Sequence, residues 1–84
     1  MQYDILFLSR ARKDLDALSS VERDRILEKI VQLGDNLRGD VKHLVNFEPA
    51  YRLRVGNYRL LFDVIKSEVL VQRVLHRSKA YKGK

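Results

Sequence analysis

Arg52, Arg54 and Arg59 lie close together in the run Tyr51-Arg-Leu-Arg-Val-Gly-Asn-Tyr-Arg59, and Arg73, His76, Arg77 and Tyr81 follow them. A planar guanidinium presents two parallel N–H donors to one phosphate, so arginines gathered on one surface can grip a phosphate backbone. With Gly56-Asn57 as a two-residue hairpin loop, Val55 pairs with Tyr58, Arg54 with Arg59, Leu53 with Leu60 and Arg52 with Leu61. Alternation then puts Tyr51, Leu53, Val55, Tyr58, Leu60 and Phe62 on an apolar face and Arg52, Arg54, Arg59 and Leu61 on the other. Like charges directly opposed across two strands destabilise a sheet. Before screening, the repulsion is on the order of 1–3 kcal/mol, and an anion lodged between the arginines would offset it. The plain alternative is a solvated basic face.

The face taken by Arg77 depends on the next turn. Three residues at Lys66-Ser67-Glu68 would put Arg73 and Arg77 beside Arg59, whereas two would put His76 there. Tyr81 lies near the end of the chain and reads equally as a frayed aromatic, and His76 as a core residue facing the helices. His43 reads as a surface or loop residue. Two histidines without cysteine or clustered carboxylates make a poor metal set, so no metal is expected.

These residues must be positioned by a small fold, since 84 residues bury enough apolar surface for one domain, residues 1–84. Hydrophobic residues at 45% and charged residues at 33% make a globular balance. Cysteine is absent, which excludes a disulfide framework and suits a reducing cytoplasm. The first residues lack the basic start and apolar run of a secretory signal, and no segment has the roughly 20 apolar residues of a membrane span. A cytoplasmic protein with no membrane partner is expected. The net charge of +6 points to a polyanionic partner. It is concentrated in one half: from Ala50 onward nine Lys or Arg residues face two acids, Asp63 and Glu68.

Tyr3 to Leu8 reads as a first strand ending at Ser9, a suitable helix N-cap. Ala11, Leu15 and Leu18 form the apolar stripe of a short helix. Ser19-Ser20-Val21-Glu22 has the capping-box form and starts a second helix, with Ile26, Leu27, Ile30, Val31, Leu33 and Leu37 at helical spacing. Tyr51 to Val55, Tyr58 to Ile65 and Val69 to Leu75 read as strands of a meander, with Pro49 just ahead of it. The expected class is α+β: a small, mostly antiparallel four-stranded sheet with two helices on one face, in the order strand, helix, helix, strand, strand, strand.

The segment from Tyr51 to Phe62, followed by His76-Arg77 and Tyr81, resembles the RelE toxins of toxin–antitoxin systems, and the element order agrees over essentially the whole chain. The resemblance implies a toxin that cuts messenger RNA in the ribosomal A site without metal or cofactor, by attack of a ribose 2′-oxygen on its own phosphate. Carried over by position, it assigns Arg54 and Arg59 to the phosphate and Arg77 to charge stabilisation or leaving-group protonation. Tyr81 becomes a stacking residue or general base. Arg52 becomes a backbone-positioning RNA contact; Arg73, which a three-residue turn would put on the same face, and His76 are taken as further RNA contacts, with His76 held in reserve as a base. Two departures bear on mechanism. Arginines occupy positions 52 and 54 where some members carry lysine, and a guanidinium cannot take up a proton as a depressed lysine can. Leu75 stands where a glycine commonly precedes His-Arg.

The resemblance also implies partners: a co-encoded acidic, RelB-like antitoxin covering the arginine face, the ribosome with its message, and operator DNA reached only through the antitoxin. Three other functions share these features. They are a ParE-like inhibitor of DNA gyrase with the same fold, a nucleic-acid-binding module without chemistry, and an inactive relic.

Overall fold

The structure, a computed structural model, describes residues 1–80. Its elements are β1 (Asp4–Phe7), α1 (Ser9–Asp16), α2 (Ser20–Leu33), β2 (Val41–His43), β3 (Tyr51–Val55), β4 (Tyr58–Ile65) and β5 (Glu68–His76). They form one five-stranded sheet in the order β1-β5-β4-β3-β2. This corrects the expected four-stranded antiparallel sheet in two respects. The short β2 adds an antiparallel edge strand beside β3, and β1 runs parallel to β5, which makes the sheet mixed. Three residues, Val-Lys-His, are too few to show alternation. The parallel pair arises because both helices intervene between β1 and the meander, returning the chain to the far edge.

The apolar face formed as its alternation required. Leu53, Val55, Leu60 and Phe62 are buried against Ala11 and Leu15 of α1 and Ile26, Ile30 and Leu33 of α2. Tyr51 and Tyr58 pack half-buried at its margin. Leu27 and Val31, at helical spacing with this stripe, are exposed on the outer side of α2.

The helix starts differ in chemistry. Ser19 is the N-cap of α2, its hydroxyl accepting from the Glu22 N–H at 3.2 Å while also donating to the Glu22 carboxylate at 3.3 Å. Ser9, expected as a cap, is instead the first residue of α1; Leu8 precedes it with no side-chain cap. The Leu8 N–H is already committed to the Val71 carbonyl, so the strand continues one residue further before the helix begins.

β5 carries the irregularity that decides the disputed face. Ile65 pairs with Glu68, so the turn has two residues, Lys66 and Ser67. Phe62 pairs with Val71 but Leu61 with Arg73, which leaves Gln72 as an extra residue, a β-bulge. Beyond it Leu60 faces Val74, Arg59 faces Leu75 and Tyr58 faces His76. A two-residue turn with a bulge therefore reaches the placement that a three-residue turn alone would have produced.

Candidate functional site

Gly56-Asn57 makes the predicted two-residue connection, with Gly56 at φ +57°, a left-handed conformation that glycine adopts without strain. The predicted pairing follows: Arg52 faces Leu61, and Arg54 faces Arg59. The Arg77 N–H donates to the Asn57 carbonyl at 2.7 Å, so this end of the ladder extends past His76. The same pairing brings Leu75 opposite Arg59 and Arg77 next in line on that side.

The arginines are not equivalent. Arg52 is nearly covered, its side chain 12% exposed, and donates to both the carbonyl and the carboxylate of Asp40. Arg54 is open to solvent and donates through Nε to the other Asp40 oxygen at 2.7 Å. Arg59 folds back to donate to the carbonyls of Gly56 and Tyr58, each at 3.0 Å. Arg77 is exposed, and its side chain makes no hydrogen bond or ion pair with another described residue. Arg73 is held elsewhere, giving Nε and Nη2 to the two oxygens of Asp14 on α1 at 2.8 and 3.1 Å.

Asp14 and Asp40 are the groups that sequence reading missed. β1 covers β5 only as far as Val71, so the Val74 N–H faces an open edge, and the Asp14 carboxylate accepts it at 2.9 Å. Burial works to raise the Asp14 carboxyl, but the Arg73 fork, the Val74 N–H and the nearby charges outweigh it and hold the group below its ordinary value. Asp40 follows Gly39, whose φ of +124° turns the chain into β2 alongside β3; a Cβ there would meet Leu53 Cδ1 at 2.8 Å. The Asp40 carbonyl accepts the Arg54 N–H at 3.0 Å, which fixes its backbone beside the arginines. Desolvation works to raise the Asp40 carboxyl, and the bonds and charges of Arg54 and Arg52 prevail, lowering it.

His76 stands apart from this face. Its ring meets Tyr58 edge-on at 5.6 Å on the side of the helices, and its Nδ1 accepts the Ser78 N–H at 3.3 Å. Burial, with the Glu22 charge second, pushes the neighbouring Tyr58 phenol above its ordinary value. His43, on β2, is exposed and packs edge-on against Tyr51 at 5.0 Å. Tyr81 lies outside the described residues.

Next to the arginines the same face changes character. Leu61 is buried there by the loop from Leu44 to Ala50, which closes with a 2.7 Å bond from the Leu44 N–H to the Ala50 carbonyl. Asp63 anchors that loop, its carboxylate accepting from the Ala50 N–H and the Gln72 amide at 2.8 and 2.7 Å. The result is an open groove of about 450 Å³ with Leu61 and Leu75 as floor and Arg10 and Lys79 among its walls. Such a surface can bind an anion along its arginines and apolar or aromatic matter beside them. No helix among the described residues is long and apolar enough to cross a membrane.

Known proteins share this fold. The family described as ParE toxin of type II toxin-antitoxin system, parDE, matches residues 5–81. Toxin RelE3 of Methanocaldococcus jannaschii is 33% identical over 82 residues, spanning 92% of this chain and 93% of that toxin. The toxin in the crystal structure of the RelB-RelE antitoxin-toxin complex from Methanococcus jannaschii is 34% identical and superposes with a TM-score of 0.75, covering 90% of this chain and 94% of that one. The isolated E. coli RelE toxin superposes with the same TM-score at 28% identity, covering 88% of this chain and 83% of that one. Sequence and fold thus agree: the chain belongs to the RelE/ParE superfamily and is a RelE-family toxin of the type II toxin–antitoxin class.

Proposed function

We propose that this toxin is an endoribonuclease that cuts messenger RNA in the ribosomal A site. The observation that carries the reading is the ladder in which Arg54 opposes Arg59 and Arg77 follows on the same side, on the sheet face turned away from the helices. Two opposed guanidiniums are disfavoured until an anion joins them, and a phosphate that gains charge during reaction is such an anion.

In the reaction the ribose 2′-oxygen forms a bond to the adjacent phosphorus and the bond to the 5′-oxygen breaks. A 2′,3′-cyclic phosphate and a free 5′-hydroxyl result. Arg54 and Arg59 hold the phosphate, and Arg77 stabilises the added charge or supplies the leaving-group proton. Its exposure suits Arg77 to that task. The Asp14 pair ties Arg73 to α1 and makes it a supporting residue at most. No arginine takes the 2′-proton. The placement of His76 against Tyr58 disfavours it as the base, which leaves Tyr81 or a ribosomal group. An antitoxin of the RelB kind is the proposed partner, as in the related complex from Methanococcus jannaschii.

The test is a translating extract programmed with one message, with cleavage mapped at codons. Arg77→Ala should lower cleavage on the order of 10²-fold while the chain stays folded. The matched ParE description favours a second reading, inhibition of DNA gyrase. Intact messages together with stabilised gyrase–DNA breaks would establish it and sink the nuclease.

A further inference from the structure

Asp40 places a carboxylate on Arg54, one of the two arginines that the phosphate-gripping reading assigns to the phosphate. Its two oxygens are divided, Oδ1 to Arg52 at 3.3 Å and Oδ2 to Arg54 at 2.7 Å, so it bridges Arg52 and Arg54 as an RNA phosphate could. A structural staple between β2 and β3 would not need this division. Backbone bonds alone already join them, with Val41 opposite Leu53 and the Arg54 N–H on the Asp40 carbonyl. The carboxylate is also accessible: its side chain is 46% exposed and that of Arg54 54% exposed, so a ligand can reach the pair without opening the fold.

We infer that Asp40 is an internal competitor for the phosphate site, occupying the arginines until RNA exchanges its phosphate for the carboxylate. The inference rests on the reading of this face as an RNA-phosphate grip. Exchange has a chemical advantage. Arg52 and Arg54 stay ordered and their charges are screened in the free toxin, yet the bond to be given up, Arg54 to Asp40, is an exposed ion pair, and such pairs are individually weak. Arg52, nearly covered, keeps its bond to the Asp40 carbonyl, and Arg54 is the member that turns to the ligand. The consequence is a site whose affinity is set below what its arginines could deliver.

Binding of a fluorescent 2′-O-methyl RNA hexamer, which cannot be cleaved, tests this with the full chain. Asp40→Asn keeps the shape and removes the competing charge. It should bind about 2- to 5-fold more tightly than the wild type, from the loss of a weak exposed ion pair. Equal or weaker binding by folded Asp40→Asn overturns the competitor while leaving the grip intact. Binding by neither chain overturns the grip and the competitor together. A second measurement needs no variant: in the wild type, the Arg54 Nε–H resonance should move as the hexamer is added. An Arg54 signal that stays fixed while those of Arg59 and Arg77 shift overturns the inference.

Discussion

Replacing Asp14 with alanine isolates the contact that joins α1 to the open edge of β5. The carboxylate accepts three bonds, from Arg73 Nε at 2.8 Å, Arg73 Nη2 at 3.1 Å and the Val74 N–H at 2.9 Å. Exposed ion pairs contribute about 0–1 kcal/mol, whereas removing one partner of a buried pair costs about 3–5 kcal/mol. With side-chain exposures of 29% for Arg73 and 16% for Asp14, this pair lies nearer the buried limit. The Val74 N–H, left without a partner, adds about 1 kcal/mol. A loss of about 3 kcal/mol is therefore expected, a large part of the roughly 4–13 kcal/mol available to a chain of this length. The melting temperature should fall on the order of 15 °C. Urea unfolding followed by circular dichroism measures it, with an unchanged slope showing that only stability moved. Asp14→Asn, which keeps an acceptor oxygen but no charge, should fall between. An alanine variant within about 0.5 kcal/mol of the wild type would refute the assignment of this carboxylate as the cap of the strand edge.

Acid should act through the same group. Its folded-state value lies below the ordinary 3.8, so its contribution is complete above 3.8 and is lost as pH falls through the lower folded value. Urea midpoints taken from about pH 5 down to about pH 2 should decline less steeply for Asp14→Asn than for the wild type. Phe62, with no exposed surface in the middle of the core, should cost about 3–5 kcal/mol on truncation to alanine, enough to leave much of the chain unfolded in a thermal melt. Gly39→Ala combines a left-handed φ with a 2.8 Å approach to Leu53, and should destabilise by more than about 1 kcal/mol in urea. It should also weaken the Asp40 pairing, seen as a shifted Arg54 Nε–H resonance.

The opposition of Arg54 and Arg59 was readable because two local rules agree: Gly56-Asn57 fixes the loop length, and alternation of period two assigns every face from there. The helices were readable for the same reason, down to the Ser19 cap. The ion pairs were not. Asp14 meets Arg73 across 59 residues and Asp40 meets Arg54 across 14, and no local pattern marks an aspartate for a distant partner. Asp40 after Gly39 has the look of an ordinary turn. The bulge left one trace, since Val69 and Val71 alternate but the next buried residue of β5 is Val74, three positions on. That break in spacing signals an extra residue between them. The short β2 left no trace, because its pairing depends on the neighbouring β3.

Gln72 has a meaning for how such a chain tolerates changes of length. It is the residue without an opposite number, so its deletion would leave Phe62 with Val71 and Leu61 with Arg73, as they already are. The cost would be its bond to Asp63, and with it some hold on the loop that buries Leu61. Deleting any paired residue between Gln72 and His76 would instead turn the rest of the strand over and exchange the positions of His76 and Arg77. Insertions and deletions within β5 should therefore be accepted at position 72 and rejected beyond it. The strand joins two independently framed halves, one matched to β1 and one to the arginines, and the unpaired glutamine is the slack between them.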